Sequence, residues 1–127
     1  LLTIFTLVFT VMFSSTSFAD WTKVSKNVDG TTFYVDYERI RKHGGYVYFW
    51  GLADYLKPTK FGDLSSKRYQ QGDCKLFRYK VLTYYFYKEP MGEGTPELAQ
   101  PEGDTKNWRY SPPNSSIESI LKKVCSR

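Results

Sequence analysis

The chain has 127 residues, 41% hydrophobic and 18% aromatic, and carries 18 Lys and Arg against 13 Asp and Glu for a net charge of +5. That length supports one ordinary domain with a modest core, not several. A single histidine and two cysteines far apart in sequence give no Cys-x-x-Cys metal motif and little material for acid–base or nucleophilic catalysis.

Residues 1–13 are uncharged and apolar apart from threonines, and Ser14, Ser15, Thr16 and Ser17 follow. Ser17-Phe18-Ala19 puts small residues at the two positions a signal peptidase reads, so residues 1–19 are read as an export signal cleaved before Asp20. The missing initiator Met and basic n-region predict that the sequence begins inside that signal. The apolar run is too short to cross a bilayer, so no membrane span is expected after cleavage. Residues 20–127 then form the working domain in an oxidising compartment, periplasmic or secreted. There Cys74 and Cys125 are expected to pair as a structural disulfide.

In chain order, residues 21–28 alternate imperfectly, with Trp21, Val24 and Val28 interleaved with Lys23 and Lys26, and are read as a first strand. Asp29-Gly30 signals a tight hairpin, because Gly accepts a positive φ. Residues 31–40 return as a second strand, with Phe33, Val35 and Tyr37 on one face. Residues 42–45 turn again. Residues 46–56 make a third strand, Tyr46, Tyr48 and Trp50 opposite Val47, Phe49 and Gly51, where Gly51 marks a bulge or a close backbone approach. After a loop at 57–63, residues 65–71 form a short polar strand.

Residues 73–88 hold the domain's longest run without Gly or Pro, rich in β-branched and aromatic residues, and predict a long central strand. In that strand Cys74 shares a face with Leu76, Arg78, Lys80, Leu82 and Tyr84, while Phe77, Tyr79 and Val81 make the more apolar face. Either a bulge shifts the register, or Arg78 and Lys80 lie beyond the footprint of the helix that Cys74 meets. Residues 89–104 contain three Pro, three Gly and five carboxylates without a Lys or Arg, and predict one long loop, functional or mobile. Trp108 and Tyr110 return briefly to the sheet before Pro112-Pro113. Ser115-x-x-Glu118 is a capping box, and Ile117, Ile120, Leu121, Val124 and Cys125 follow at helical spacing. The pattern is α+β: an antiparallel, meander-like sheet with a C-terminal helix packed on one face and tied to it by the disulfide.

His43 falls in a turn with no nucleophile or orienting acid nearby in sequence, and no cofactor or metal set is expected; the acidic stretch fits no calcium loop. Charge says more. With five of the thirteen acids gathered in 89–104, a basic body carries an acidic segment. Aromatics interleave with Arg and Lys in 39–50 and 68–88, a pattern that suits an anionic partner. Export argues against nucleic acid and for an anionic polymer, a matrix-type protein or an anionic envelope surface. Candidate partner-binding residues are Arg39, Arg41 and Lys42 around one turn and Lys75, Arg78 and Lys80 on the long strand. The alternative is a periplasmic small-ligand binder whose pocket is lined by the aromatics of 46–50 and 84–87. An enzyme ranks last.

An ordered set of motifs carries a resemblance. These are the export signal, Trp21, Thr31-Thr32-Phe33-Tyr34-Val35-Asp36, Gly72-Asp73-Cys74-Lys75 with Arg78, Pro90-Met91-Gly92-Glu93-Gly94, Trp108, Pro112 and Cys125. Together they resemble the surface-adhesin protein E family of Gram-negative bacteria over nearly all of the domain. The resemblance implies an antiparallel sheet with a disulfide-tied C-terminal helix, non-enzymatic adhesion to host proteins such as vitronectin and laminin, and homodimers. It also implies display at the cell surface. The family's namesake is lipid-anchored through a cysteine after its signal, whereas Asp20 stands directly after Ala19 here.

Overall fold

The computed structural model describes residues 19–99 and 107–127. Residues 1–18, which are all but the last residue of the export signal read over 1–19, and 100–106, which include the end of the acidic stretch at 89–104, lie outside the described residues. The sheet is organised on β4 (Tyr46–Asp54) and β5 (Ser65–Asp73), which pair antiparallel along their full lengths. Outward from β4 come β2 (Thr32–Asp36) and then β1 (Trp21–Lys26); outward from β5 come β6 (Arg78–Tyr87) and β7 (Glu97–Ala99). The short β3 (Arg41–His43) pairs with the first half of β4, on the edge whose second half takes β2. Every pairing is antiparallel, so the meander expected from sequence is what forms.

Turn chemistry sets the connections. Gly44 and Gly45, at φ 60° and 83°, close the two-residue β3–β4 hairpin with the primed geometry that matches strand twist. The predicted second strand is shorter than residues 31–40. It ends at Asp36, where a single 3-10 turn, Tyr37–Arg39, redirects the chain into β3. Tyr37 still packs on the core, and its ring lies 4.0 Å from the Arg127 guanidinium.

One helix, α1 (Ser116–Cys125), covers one face of the sheet. The Ser115 hydroxyl accepts from the Glu118 amide at 3.2 Å, so the expected N-cap is made, but the reciprocal half of the capping box is shifted by one residue: the Glu118 carboxylate accepts from the Asn114 amide at 3.3 Å, while the Ser115 amide donates to the Pro112 carbonyl. Ile120, Leu121 and Val124 close on Val35, Val47 and Phe49 to form the core. Full burial of each such side chain is worth about 1.5–3 kcal/mol. Gly72 makes the close approach possible. A Cβ there would sit 2.8 Å from Val47 and 3.0 Å from Leu121. Gly51 is likewise a close approach rather than a bulge, with the Gln70 amide 2.9 Å from where its Cβ would be.

Cys74 and Cys125 are bonded, with Cα atoms 5.6 Å apart. Cys74 is not on a strand, which corrects the expectation of one continuous strand over 73–88. Residues 74–77 are the turn between β5 and β6, and Phe77 sits there at φ 53°. Asp73 builds this turn: one carboxylate oxygen accepts from the Lys75 and Leu76 amides at 3.1 and 3.2 Å, and the other pairs with Arg78 Nε at 2.9 Å. Burial pushes the Asp73 carboxyl up, but the Arg78 hydrogen bond, the two amides and the Arg78 charge outweigh it and hold it below its ordinary value. The conflict over strand faces disappears because Cys74 stands outside the alternation. A bulge does exist further on, at the 69/70 step opposite Leu82, and it moves Tyr84 to the helix side while Arg78 and Lys80 stay on the other.

The acidic stretch is not one loop either. Residues 90–92 form a 3-10 turn pinned to the sheet: the Gly92 amide donates to Ser65 Oγ at 2.8 Å, Ser65 Oγ donates to the Glu89 carbonyl, and the Met91 amide donates to Asp54 at 2.8 Å. Glu97–Ala99 then pairs with β6 as β7.

Candidate binding face

Residues directly opposite in an antiparallel pair share a face, so the register assigns every side chain to the helix side or the open side. On the open side Tyr48, Trp50 and Leu52 of β4 lie beside Gln71, Tyr69 and Lys67 of β5, and these beside Lys80, Thr83 and Tyr85 of β6, with Tyr46 at the end of the β4 row. The rings form a ladder. Tyr48 meets Tyr69 at 6.3 Å between centroids, Tyr69 meets Trp50 at 5.0 Å, and Trp50 meets Tyr85 at 6.0 Å. At one end Trp108, brought in by the bridge between Arg109 and Tyr79, packs on Tyr46 at 5.4 Å. These rings are half-buried, not sealed. Offset and tilted contacts at such spacings suit the ring quadrupoles.

Cations flank the ladder. The Arg78 guanidinium and the Lys80 ammonium each lie 4.5 Å from the Trp108 ring centre. Arg41 borders Tyr48 and Tyr69 from β3. At the other end the Lys67 ammonium stands 4.9 Å from Tyr87 and 5.8 Å from Trp21. Burial lowers the Lys67 pKa from its ordinary value, and the neighbouring Arg39 charge lowers it further. Gly92, at φ 66°, lies close to Lys67 and Leu52: a Cβ there would collide with the Lys67 stem and crowd Leu52.

The six residues singled out from sequence separate in space. Arg41, Arg78 and Lys80 reach the open face. Arg39 borders it beside Trp50 and pairs through Nε with Asp36 at 3.3 Å. Lys42 points the other way, its ammonium donating to the Arg127 carbonyl beyond the end of α1. Lys75 is exposed in the 74–77 turn. Of the predicted pocket aromatics, Tyr46, Tyr48, Trp50, Tyr85 and Tyr87 are on the open side. Tyr84 and Phe86 stack on each other at 6.0 Å on the helix side. Lys67, Tyr69 and Trp21 were missed. The alternation Lys67, Tyr69, Gln71 was visible in the polar strand, but only the register with Leu52, Trp50 and Tyr48 shows that it extends the ladder.

The fold is an open antiparallel sheet with a helix on one side and a half-exposed aromatic and cationic surface on the other. The chain belongs to the surface-adhesin protein E family, whose sequence profile matches residues 21–126. Its fold is shared with crystal structures of Haemophilus influenzae protein E. Crystal form II aligns with a TM-score of 0.62 at 21% identity, covering 84% of this chain and 87% of that one. The non-typeable Haemophilus influenzae protein aligns with a TM-score of 0.57 at 19% identity, covering 84% and 75%. No curated protein sequence matches the chain. No helix among the described residues is long and apolar enough to cross a membrane.

Proposed function

We propose that this chain is an exported, non-enzymatic adhesion module that holds an anionic partner, an acidic polymer or an acidic stretch of a matrix-type protein, on its helix-free face. One observation carries the reading: Arg41, Lys67, Arg78 and Lys80 stand along a row of rings on that face, Tyr48, Tyr69, Trp50 and Tyr85 in one run and Trp108 on Tyr46 at its end. The ladder supplies flat apolar area at low entropic cost, and the cations supply attraction and orientation. Family membership supports adhesion as the class of activity. Residues 1–19 supply the export route, and the working protein starts at Asp20.

Retention on immobilised heparin tests this. The account expects binding at low ionic strength that weakens steeply as salt rises, because the attraction acts between partly exposed charges. A protein that passes through the column at low salt contradicts it. The small-ligand reading is favoured by a separate observation, a cavity of about 290 Å³ at the Trp21–Trp50 end of the same face.

A further inference from the structure

Beside β3 the open face sinks into two adjoining hollows. One, of about 530 Å³, is lined by Arg41 and His43 from β3 and by the rings of Tyr48 and Tyr69. Lys42 also borders it, but its ammonium is turned away to the Arg127 carbonyl. The other hollow, of about 520 Å³, lies against Tyr69 and Trp50. Arg41 and Tyr69 border both, so the two hollows make one trough along the rings. Arg41 and His43 are exposed, and neither makes an ion pair among the described residues.

The first hollow offers donors and no carboxylate. Arg41 brings a guanidinium with five N–H groups, and even a neutral imidazole at His43 keeps one. Gln71 Nε2 donates to the Tyr48 oxygen at 3.2 Å, which leaves Tyr48 its own hydrogen to give. Arg41 and Tyr48 are directly opposite across β3 and β4, and His43 stands on the same side about 7 Å further along β3. Donors arriving from two strands suit a charged group whose acceptor oxygens point several ways. A carboxylate holds two oxygens in one plane, and the Arg41 fork takes both. A sulfate ester keeps a single negative charge and turns three oxygens in three directions. A phosphate ester has that shape but carries about one and a half to two negative charges at neutral pH, against the one guanidinium here.

We propose that the trough binds a sulfated polysaccharide, with one ester sulfate in the Arg41–His43–Tyr48 hollow and the neighbouring sugar rings on Tyr69 and Trp50. This rests on the open face being the binding face and names what that face recognises. A polysaccharide fits better than a sulfated peptide because two hollows of nearly equal volume stand side by side with Arg41 at their junction. A repeating chain fills both, whereas one modified side chain fills one.

Glucose 6-sulfate and glucuronate make the test direct, because each is a single sugar ring with one negative charge. Both are titrated at one ionic strength alongside glucose, glucose 6-phosphate, a heparin oligosaccharide and a sulfotyrosine peptide. Two-dimensional NMR follows the backbone amides of Arg41 and His43 and the indole N–H groups of Trp50 and Trp108. The expected result is saturable movement of Arg41, His43 and Trp50 with glucose 6-sulfate, in about the millimolar range, with Trp108 unmoved. Glucuronate binds at least about tenfold more weakly, and glucose more weakly still. Arg41→Lys keeps the charge and loses the fork, so the preference for sulfate over carboxylate falls to near unity. Tyr48→Phe keeps the ring and lowers that preference. Equal affinity for glucuronate and glucose 6-sulfate overturns the sulfate assignment and leaves the face reading standing. Glucose 6-phosphate more than about tenfold tighter than the sulfate reassigns the hollow to phosphate esters. A sulfotyrosine peptide tighter than a heparin oligosaccharide of equal charge assigns the trough to a sulfated protein and overturns the polysaccharide. Heparin that moves Trp108 and not Arg41 overturns the location. No movement with any probe, heparin included, overturns both the trough and the face.

Discussion

The two sides of this sheet are built from the same strands and do opposite work. On the helix side, Val35, Val47, Phe49, Ile120, Leu121 and Val124 are at most 2% exposed and exclude water. On the other side, Tyr46, Tyr48, Trp50, Lys67, Tyr69, Arg78, Lys80 and Tyr85 are left half open, while Leu52, Ser65 and Tyr87 at one end are buried. Phe49 and Trp50 are neighbours in sequence and face opposite ways: Phe49 is buried in the core, and Trp50 is half-exposed on the face proposed for binding. Adjacent strand residues point to opposite faces, so stability and recognition can be tuned almost independently. Substitutions on the two sides should therefore separate cleanly, and that is how the comparison can be broken.

The largest expected effect is loss of the bond that fastens the helix to the sheet. Removing the Cys74–Cys125 link, which closes a sequence separation of 51, should cost about 4 kcal/mol by the chain-entropy argument. Urea unfolding of the double alanine variant reads it. A shift below about 1 kcal/mol would mean the helix stays docked without its staple.

Next is Leu121→Ala, expected to cost about 3 kcal/mol because the side chain is fully buried against the sheet. Trp50→Leu on the opposite side should cost clearly less in stability and abolish binding. If the two variants lose stability equally, the open face is a second core and not a binding surface.

Acid should act through the turn that carries Cys74. Asp73 is held below its ordinary value of 3.8, so the unfolded chain binds its proton more tightly than the folded protein. Its contribution is complete above about pH 4 and is lost as pH falls through its folded value. Asp73→Asn should flatten the acid limb of a thermal-stability profile measured from neutral pH downward. A limb as steep as that of the native protein would remove Asp73 from the account.

The smallest structural effects come from the helix. Ser115→Ala should cost about 1 kcal/mol, as the hydroxyl is the cap. Lys122→Ala removes only an exposed pair with Glu118 at 3.3 Å and should fall within about 0.5 kcal/mol of native.

Local features of this fold are legible in the sequence, and non-local ones are not. The helix, its cap at Ser115 and its buried stripe depend on spacing within a few residues, and all were readable. So was the alternation of β4. Register is different, because it is fixed between strands. A single bulge opposite Leu82 puts Tyr84 on the helix side and Tyr85 on the open side. The polar look of β5 also misled. It is a central strand whose helix-side positions are Ser66, Arg68, Gln70 and Gly72, with Arg68 lying over the Phe33 ring and Gly72 admitting Leu121. The turn at 74–77 was hidden because it contains neither Gly nor Pro; Asp73 and Arg78 shape it instead. The candidate site suffered most, since Lys67 and Tyr69 join the ladder only through the β4–β5 pairing.

The central claim, that recognition belongs to the open face and not to net charge, has one direct test. Arg41→Gln with Lys80→Gln removes two positive charges from the ring ladder, and Lys122→Gln with Lys123→Gln removes two from the exposed side of α1. The two proteins have the same net charge. Heparin affinity is measured for both at the same low ionic strength. The account predicts a loss of about tenfold or more for the open-face pair and near-native affinity for the helix pair. Equal losses would contradict it and reduce the basic surface to a diffuse attraction with no face of its own.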